Sequence, residues 1–290
     1  MSYPPYRFGN PAAMAPAGSA APPLPSFTGV VAAYGLNNFN DAGYPGGLGI
    51  SGVDNEIHFL GVAPYALDYT DIGSQAINLW ADQNGNLNDA TSGGANRPTL
   101  DATSQLISFD GTQTGLVGAN PLYSGGSATG TIYVGFKAAS LVETSVLLET
   151  GTGATDQAQR ISIRLVAGVL TCSVYDATAV VCLANTKSKT ISDNNWHLLA
   201  FTFDTGQGTA VNQTGLLVDN SSSGVSSPVS STVAGLLLGG EAPNIGMRNN
   251  FASNFFTGSE RLNFYRNTVD DAAAKTVMWN RWVYLQSLMP

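Results

Sequence analysis

Hydrolysis of a glycosidic bond uses two carboxyl groups that flank it, about 5–5.5 Å apart in retaining enzymes and farther apart in inverting ones. Four carboxylates of this chain fall on or beside strand-like segments: Glu143, Glu149, Asp204 and Asp219. Asp204 and Asp219 each close an apolar run beside a Gly-rich turn, where an aspartate caps the turn with its own carboxyl. Both are therefore read as structural. Glu149, between Leu148 and Thr150, is the carboxylate that could face a groove. Asp82-x-Asn84-x-Asn86-x-Asn88 offers an oxygen at every second position, and calcium takes about six to eight oxygen ligands. It lacks the glycine and the closing glutamate of an EF-hand, so it reads as an Asx-rich turn; calcium is the single cofactor considered, and none is expected. His58 and His197 are the only histidines. No G-x-S-x-G nucleophile motif adjoins His58, and no phosphate-cradling glycine loop leads into a helix.

Cys172 and Cys182 are the only cysteines and flank Asp176-Ala177-Thr178, a plausible turn. A hairpin symmetric about Ala177 would set the two thiols opposite each other. Two states follow: a pair of reduced, half-buried thiols, or a cross-strand disulfide formed after release from the cell, which would contribute roughly 2–3 kcal/mol. Metal-ligand spacing such as C-x-x-C is absent.

The elements that must carry these residues are strands. Apolar residues make up 43% of the chain, enough for a full core, whereas charged residues make up only 11%, about half the usual share. Gly, Ser, Thr and Asn supply the polarity instead. The net charge is −8 and the 12 basic residues are scattered, so the clustered cations of nucleic-acid binding are missing. Short alternating runs separated by Gly and Asn turns predict strands at 28–34, 77–83, 108–110, 131–138, 146–150, 160–166, 169–175, 179–184, 197–204, 215–219, 233–238 and 257–265. In the run at 131–138, Ile132, Val134 and Phe136 fall on one side. Such a series means an antiparallel sandwich or barrel. Residues 35–71 are rich in Gly, Asn, Asp and Tyr without periodicity and read as a long excursion, in which Tyr44, Tyr65 and Tyr69 could stack on sugar rings. One helix is predicted at about 269–288, with Thr268 as N-cap and Asp271 at N3 of a capping box. Ala274, Met278, Trp282 and Leu285 form its apolar stripe, widened by Trp279 and Val283.

Residues 1–27 stand apart. Seven prolines forbid a helix and favour extended chain, and alone such a segment is disordered. A neighbouring subunit would order it, with Tyr3, Tyr6 and Phe8 as aromatic anchors; the alternative is a tail lightly packed on its own domain. No secretory signal is read in this stretch and no window approaches a membrane span. The expectation is a protein made in the cytoplasm and released by lysis.

Several segments carry a family resemblance. WHLLAFTFD at 196–204, followed by GLLVD at 215–219, resembles the "WHHVAVTFD…LYVDG" core of concanavalin A-like (LamG-like) jelly rolls. WADQNG at 80–85, NDAT at 88–91, NRP at 96–98 and FDG at 109–111 resemble a second run of such domains. GMRN at 246–249, FTG at 256–258 and Phe264-Tyr265 resemble their closing segment. VAAYGL at 31–36 is similar to the opening of the catalytic domain of arabinofuranosidase B-type enzymes, and similar domains occur in tailed-phage virion proteins. Together the matches span about residues 30–288. The chain lacks the adjacent cysteine pair of those arabinofuranosidases, and none of its carboxylates aligns with their nucleophile or acid, so no catalytic residue is carried over.

The resemblance implies an all-β, antiparallel concanavalin A-like jelly-roll sandwich over residues 28–290, with an extended N-terminal arm and one C-terminal helix. Joined to the arm and the low charge, it leads to the expectation of a non-enzymatic phage virion component. This would be a capsid decoration or tail-associated protein, oligomeric, bound to other virion proteins through its arm and touching host glycans with its exposed sandwich. The alternatives are a carbohydrate-binding module or adhesin and, third, a glycoside hydrolase. No nucleic-acid partner and no membrane insertion are expected.

Overall fold

The computed structural model describes residues 30–35, 67–69, 77–80, 90–92, 96–101, 106–123, 128–150, 160–176, 183–207, 212–227, 242–248 and 254–287. These residues form an antiparallel β-sandwich of two sheets with a helix at the C-terminal end. The expected arm at 1–27, Tyr44, Tyr65, the Asp82–Asn88 segment and the strand expected at 233–238 lie outside them.

One sheet has seven strands. β1 (Val30–Gly35) and β5 (Thr99–Asp101) belong to it, with β6 (Leu106–Asp110), β8 (Thr129–Ala138), β13 (His197–Asp204), β14 (Thr214–Val218) and β16 (Thr257–Arg266). Its order is β14-β13-β8-β16-β6-β5, and β1 pairs with the second half of β16, from Leu262 to Arg266. The other sheet has nine strands. They are β2 (Leu67–Tyr69), β3 (Ile77–Trp80), β4 (Ala90–Thr91), β7 (Leu116–Gly118), β9 (Thr144–Thr150), β10 (Arg160–Val166), β11 (Val169–Asp176), β12 (Leu183–Thr190) and β15 (Pro243–Ile245), in the order β12-β11-β10-β9-β15-β7-β4-β3-β2.

Period-two alternation decides which side chains enter the core. Ile132, Val134 and Phe136 of β8 and Leu199, Phe201 and Phe203 of β13 face inward, as the alternation predicts. They share one buried cluster with Ile161, Ile163 and Leu165 of β10 and Cys172 of β11. Full burial of each large apolar side chain is worth about 1.5–3 kcal/mol, so this cluster fixes the register of both sheets. On β9 the alternation is broken on purpose. A bulge between Ile163 and Arg164 of the partner strand gives β9 one extra residue. Leu147 and Leu148 therefore both join the core, and Glu149 returns to the outer face opposite Ser162.

The helix, α1 (Ala272–Ser287), covers the outer face of the seven-stranded sheet. Met278 and Trp282 pack on Tyr133, Leu198, Ala200, Leu262 and Phe264, with Ala274 and Trp279 at the margin. Val283, expected in the apolar stripe, is exposed. The helix also starts later than the predicted residue 269. Asp271 is the N-cap, accepting the Ala274 amide at 2.8 Å. The reason lies just upstream: Asp270 accepts the Tyr133 hydroxyl at 2.6 Å, pairs with Arg266, and gives its amide to Thr131 at 2.9 Å. Residues 268–270 are thus pinned to β8 and β16 and cannot enter the helix. Among the described residues no helix is long and apolar enough to cross a membrane.

Trp282 reaches the sheet because β8 carries Gly135 at that point; a Cβ there would lie 2.5 Å from the indole ring. Gly135→Ala is expected to destabilise the fold by about 1–3 kcal/mol through overpacking. Urea unfolding followed by tryptophan fluorescence checks this; an unchanged midpoint would show that the helix does not rest on this contact.

β12 corrects the expected hairpin. It runs over Leu183–Thr190 rather than 179–184, and Cys172 lies opposite Lys187. The register is therefore not symmetric about Ala177. Cys172 is a free thiol within the core, and burial pushes its pKa well up, which keeps it protonated and unreactive. Cys182 lies outside the described residues.

Candidate functional site

With its inner face in the core and the helix on the opposite sheet, the nine-stranded sheet has one further face, and its composition is unusual. Cross-strand partners in an antiparallel sheet project to the same side. Asn244, Glu149, Ser162, Ser173 and Thr186 are consecutive partners across β15, β9, β10, β11 and β12. They form one polar rung running perpendicular to the strands, opposite in sense to Leu148, Ile163 and Cys172. The rung is internally bonded. Ser162 donates to Glu149 Oε2 at 2.9 Å, Ser173 and Thr186 share a hydrogen bond of 2.9 Å, and the Asn244 amide donates to the Glu149 carbonyl at 3.3 Å.

Glu149 is 1% exposed and faces two guanidinium groups, Arg160 Nε at 3.7 Å from Oε2 and Arg248 Nε at 3.4 Å from Oε1. Oε1 has no hydrogen-bond partner beyond that ion pair. Arg160 stacks on Tyr175, its Cζ 4.7 Å from the ring centre. From the other side, Arg164 donates to the Tyr175 hydroxyl at 2.8 Å. Because Arg160 is opposite Tyr175 and Arg164 opposite Thr171, the Arg164–Tyr175 bond crosses the Ser162–Ser173 rung diagonally. The rung is closed to solvent: Glu149 and Asn244 are 1% exposed and Ser162 and Ser173 0%. Arg164 and Arg248 are partly open, and their planar guanidinium forks are groups that hydrogen-bond to vicinal hydroxyls. Among the described side chains of this face Glu149 is the only carboxylate, so the pair that glycoside hydrolysis requires is not assembled there.

Sequence reasoning placed Glu149 on a strand from which it could face a groove, and missed its partners; the structure buries it. The signal was present. In RISIRLV (160–166), Arg160, Ser162 and Arg164 alternate with Ile161, Ile163 and Leu165, which puts two arginines on the non-core face. Arg248 belongs to the closing segment of the family resemblance. The preceding Gly246 holds φ at +73°, and a Cβ there would strike the Phe109 ring; this tight turn carries the chain from β15 to Arg248. Tyr69 lies at the edge of the same sheet, in β2. Tyr44 and Tyr65 lie outside the described residues, as do Tyr3, Tyr6 and Phe8.

The remaining motif residues build turns. Asp204 accepts the Gly206 amide at 3.1 Å and the Gln207 side chain at 2.6 Å. Asp110 accepts the amides of Thr112, Gln113 and Thr114. Burial alone would raise its pKa, but these N–H groups and the Thr112 and Thr114 hydroxyls outweigh it and bring the carboxyl down to about 2. Asp219 and Asn220, at φ +55° and +56°, form the tight turn that follows β14. Asp219 also ties that turn to the start of β13, accepting the Leu198 amide at 3.1 Å and bonding His197 Nδ1 at 2.7 Å. Asp193 sits 3.3 Å from the other ring nitrogen. Glu143 is exposed in the turn before β9. No three His, Cys, Asp or Glu side chains among the described residues are grouped to hold a metal ion.

The Asp219 hydrogen bond raises the pKa of His197; burial opposes it, and the charges of Asp219 and Asp193 add to the rise. A histidine whose folded pKa is raised contributes stability that is complete below the unfolded value near 6.5 and is lost as pH climbs through the folded value. Asp219→Asn should therefore flatten the pH dependence of the unfolding midpoint above pH 6.5; an unaltered profile there would rule out this linkage.

The sequence matches no family model and no curated protein. Solved structures with a similar fold include domain 4 of AbnA, a GH43 extracellular arabinanase from Geobacillus stearothermophilus, in complex with arabinotriose. It is 14% identical with a TM-score of 0.49, over 68% of this chain and 91% of that one. The CBM40 of Ruminococcus gnavus IT-sialidase, bound to α2,3-sialyllactose, is 14% identical with a TM-score of 0.41, over 55% and 95%. The receptor binding domain of botulinum neurotoxin D is 11% identical with a TM-score of 0.51, over 72% of this chain. This chain spans 50% of the neurotoxin domain, and the likeness shows a common two-sheet sandwich and nothing finer.

Proposed function

We propose that the protein is a glycan-binding module on a concanavalin A-like sandwich, and that it reads its ligand with the outer face of the nine-stranded sheet. The observation that carries this reading is the pair Arg164 and Arg248, partly open to solvent beside the buried Asn244–Glu149–Ser162–Ser173–Thr186 rung. Burying ionised groups is costly, and apolar replacements of buried ion pairs are often neutral or stabilising. A sheet face that keeps a carboxylate and guanidinium groups in this setting is therefore better explained by recognition than by stability. Sugar hydroxyls would accept from the partly exposed guanidinium groups of Arg164 and Arg248, which the buried Tyr175 and Glu149 hold in place, in the way polar groups orient a ligand in a shaped site.

Binding is favoured over hydrolysis because this face offers one carboxylate among the described residues. The expected virion role rests in part on the N-terminal arm, whose Tyr3, Tyr6 and Phe8 lie outside the described residues. The test is glycan-array binding by the full chain, followed by calorimetry with the best ligand. Arg248→Gln is expected to weaken binding about tenfold, the loss of one charge-assisted hydrogen bond. Absence of binding to any glycan at millimolar concentration would overturn the reading.

A further inference from the structure

β16 changes neighbour in mid-course. Thr257 to Glu260 pair with β6, Leu262 to Arg266 pair with β1, and the register against β8 slips between Glu260 and Leu262. This bulge is the joint between the two halves of the strand, and it sends consecutive side chains to opposite sides of the sheet. Glu260 goes inward, fully buried opposite Phe136, with Oε2 on the Asn263 amide at 2.6 Å and no hydrogen-bond partner for Oε1. Arg261 goes outward. Its guanidinium lies 4.3 Å from the centre of the Trp196 ring and donates at 2.8 Å to Gln286, in the last turn of α1. The inner row continues onto β13. His197 is the other cross-strand partner of Phe136, with ring centres 5.6 Å apart. Glu260, Phe136 and His197 thus form one row across β16, β8 and β13, closed by Asp219 at 2.7 Å from Nδ1 and Asp193 at 3.3 Å from Nε2.

We propose that the Glu260–Phe136–His197 row is a proton-operated latch on the β16 joint: protonated, it holds the joint shut and the last turn of α1 docked through Arg261; deprotonated, it lets the joint open and that turn leave the sheet. Both ionisable members act in the same direction. Burial raises the Glu260 pKa to about 8 against a weaker opposite pull from Asn263. The Asp219 hydrogen bond raises that of His197, burial opposes it, and the charges of Asp219 and Asp193 add to the rise. Among the described residues no further charged side chain acts on either group. Each contribution is complete in acid and lost as pH climbs, from 4.5 toward 8 for Glu260 and from 6.5 upward for His197. An ionised Glu260 inside the sandwich would lack a cationic partner, and reaching water through the joint costs less than unfolding both sheets. The β9–β12 meander belongs to the other sheet and stays closed.

The experiment is hydrogen exchange of the full chain between pH 5 and 9, read by mass spectrometry and corrected for the intrinsic exchange rate at each pH. Protection of the amides of residues 197–200, 258–262 and 280–287 is expected to fall together by about tenfold or more between pH 6 and 9, while that of residues 161–174 in the β10–β11 hairpin holds. Glu260→Gln should remove most of the fall, and Glu260→Gln combined with Asp219→Asn should remove the rest. Arg261→Gln separates the two ends of the latch: the fall at 258–262 remains, and 280–287 exchange fast at every pH. Protection of the three segments that does not change with pH overturns the latch. So does a fall shared equally by residues 161–174, which is global unfolding. The parent chain alone decides between these outcomes, so a variant that fails to fold leaves the test intact.

Discussion

Replacing Glu260 by glutamine is expected to stabilise the protein by an amount that grows with pH. Glu260 lies on β16 opposite Phe136 and Ile107, inside the sandwich and fully buried. Its Oε2 accepts the Asn263 amide at 2.6 Å, and Oε1 has no partner. Burial raises its pKa from 4.5 to about 8, with the Asn263 bond acting weakly the other way. The folded state therefore holds a proton that the unfolded state releases at pH 4.5. Where the native state binds more protons, stability falls as pH rises. Here the fall begins near pH 4.5, runs at about 1.4 kcal/mol per pH unit, and ends near pH 8. The parent chain should thus lose about 3 kcal/mol between pH 4.5 and 7 through this one group. Glutamine keeps an acceptor for Asn263 and carries no charge at any pH, so that loss disappears. Urea midpoints of the two proteins across pH 4–8 decide it: curves that stay parallel would mean that Glu260 does not titrate in this range. This window opens below that of His197, so the two groups can be separated by combining Glu260→Gln with Asp219→Asn.

The second large effect concerns Glu149. Its removal takes from Arg160, 1% exposed, and from the Nε of Arg248 the carboxylate that faces them both. Breaking a buried ion pair by deleting one partner costs about 3–5 kcal/mol, because the remaining charge has lost its counter-ion. Glu149→Ala should show a loss of that size in denaturant unfolding. Converting the whole cluster, Glu149→Leu with Arg160→Met and Arg248→Met, should restore stability to near the parent level and still abolish glycan binding. A fully apolar triple variant as unstable as Glu149→Ala would show instead that the cluster holds the sheet together.

The strands that build the core were legible because one face is dry. β13 and β10 fall where their alternation places them, at 197–204 and 160–166. β12 was displaced because it is the end strand of its sheet, LANTKSKT, bridged outward at Ser188–Ser226, and its lysines and hydroxyls suit a sheet edge and leave no apolar period to read. The helix start was hidden for a different reason. Thr268 and Asp271 have the spacing of a capping box, but Asp270 is engaged by Arg266, Tyr133 and Thr131, side chains and backbone far away in sequence or on another strand. The candidate site was half legible. Glu149 could be placed on its strand, whereas Asn244 and Arg248 come from a segment nearly a hundred residues later and meet it only through the pairing of β15 with β9.

The position of β16 has a consequence for synthesis of the chain. It is the last described strand to be made, yet it lies between β8 and β6 and also receives β1. The meander from β9 to β12 pairs neighbours in sequence and can assemble as it leaves the ribosome. The seven-stranded sheet cannot close until residues 257–266 emerge, and until then β8 presents Ile132, Val134 and Phe136 without a neighbour on that edge. Long-range pairing of this kind slows folding and prolongs exposure of apolar surface. Nascent chains stalled before residue 257 should therefore recruit chaperones and yield to protease, and release of β16 converts both sheets to the protected state in a single step.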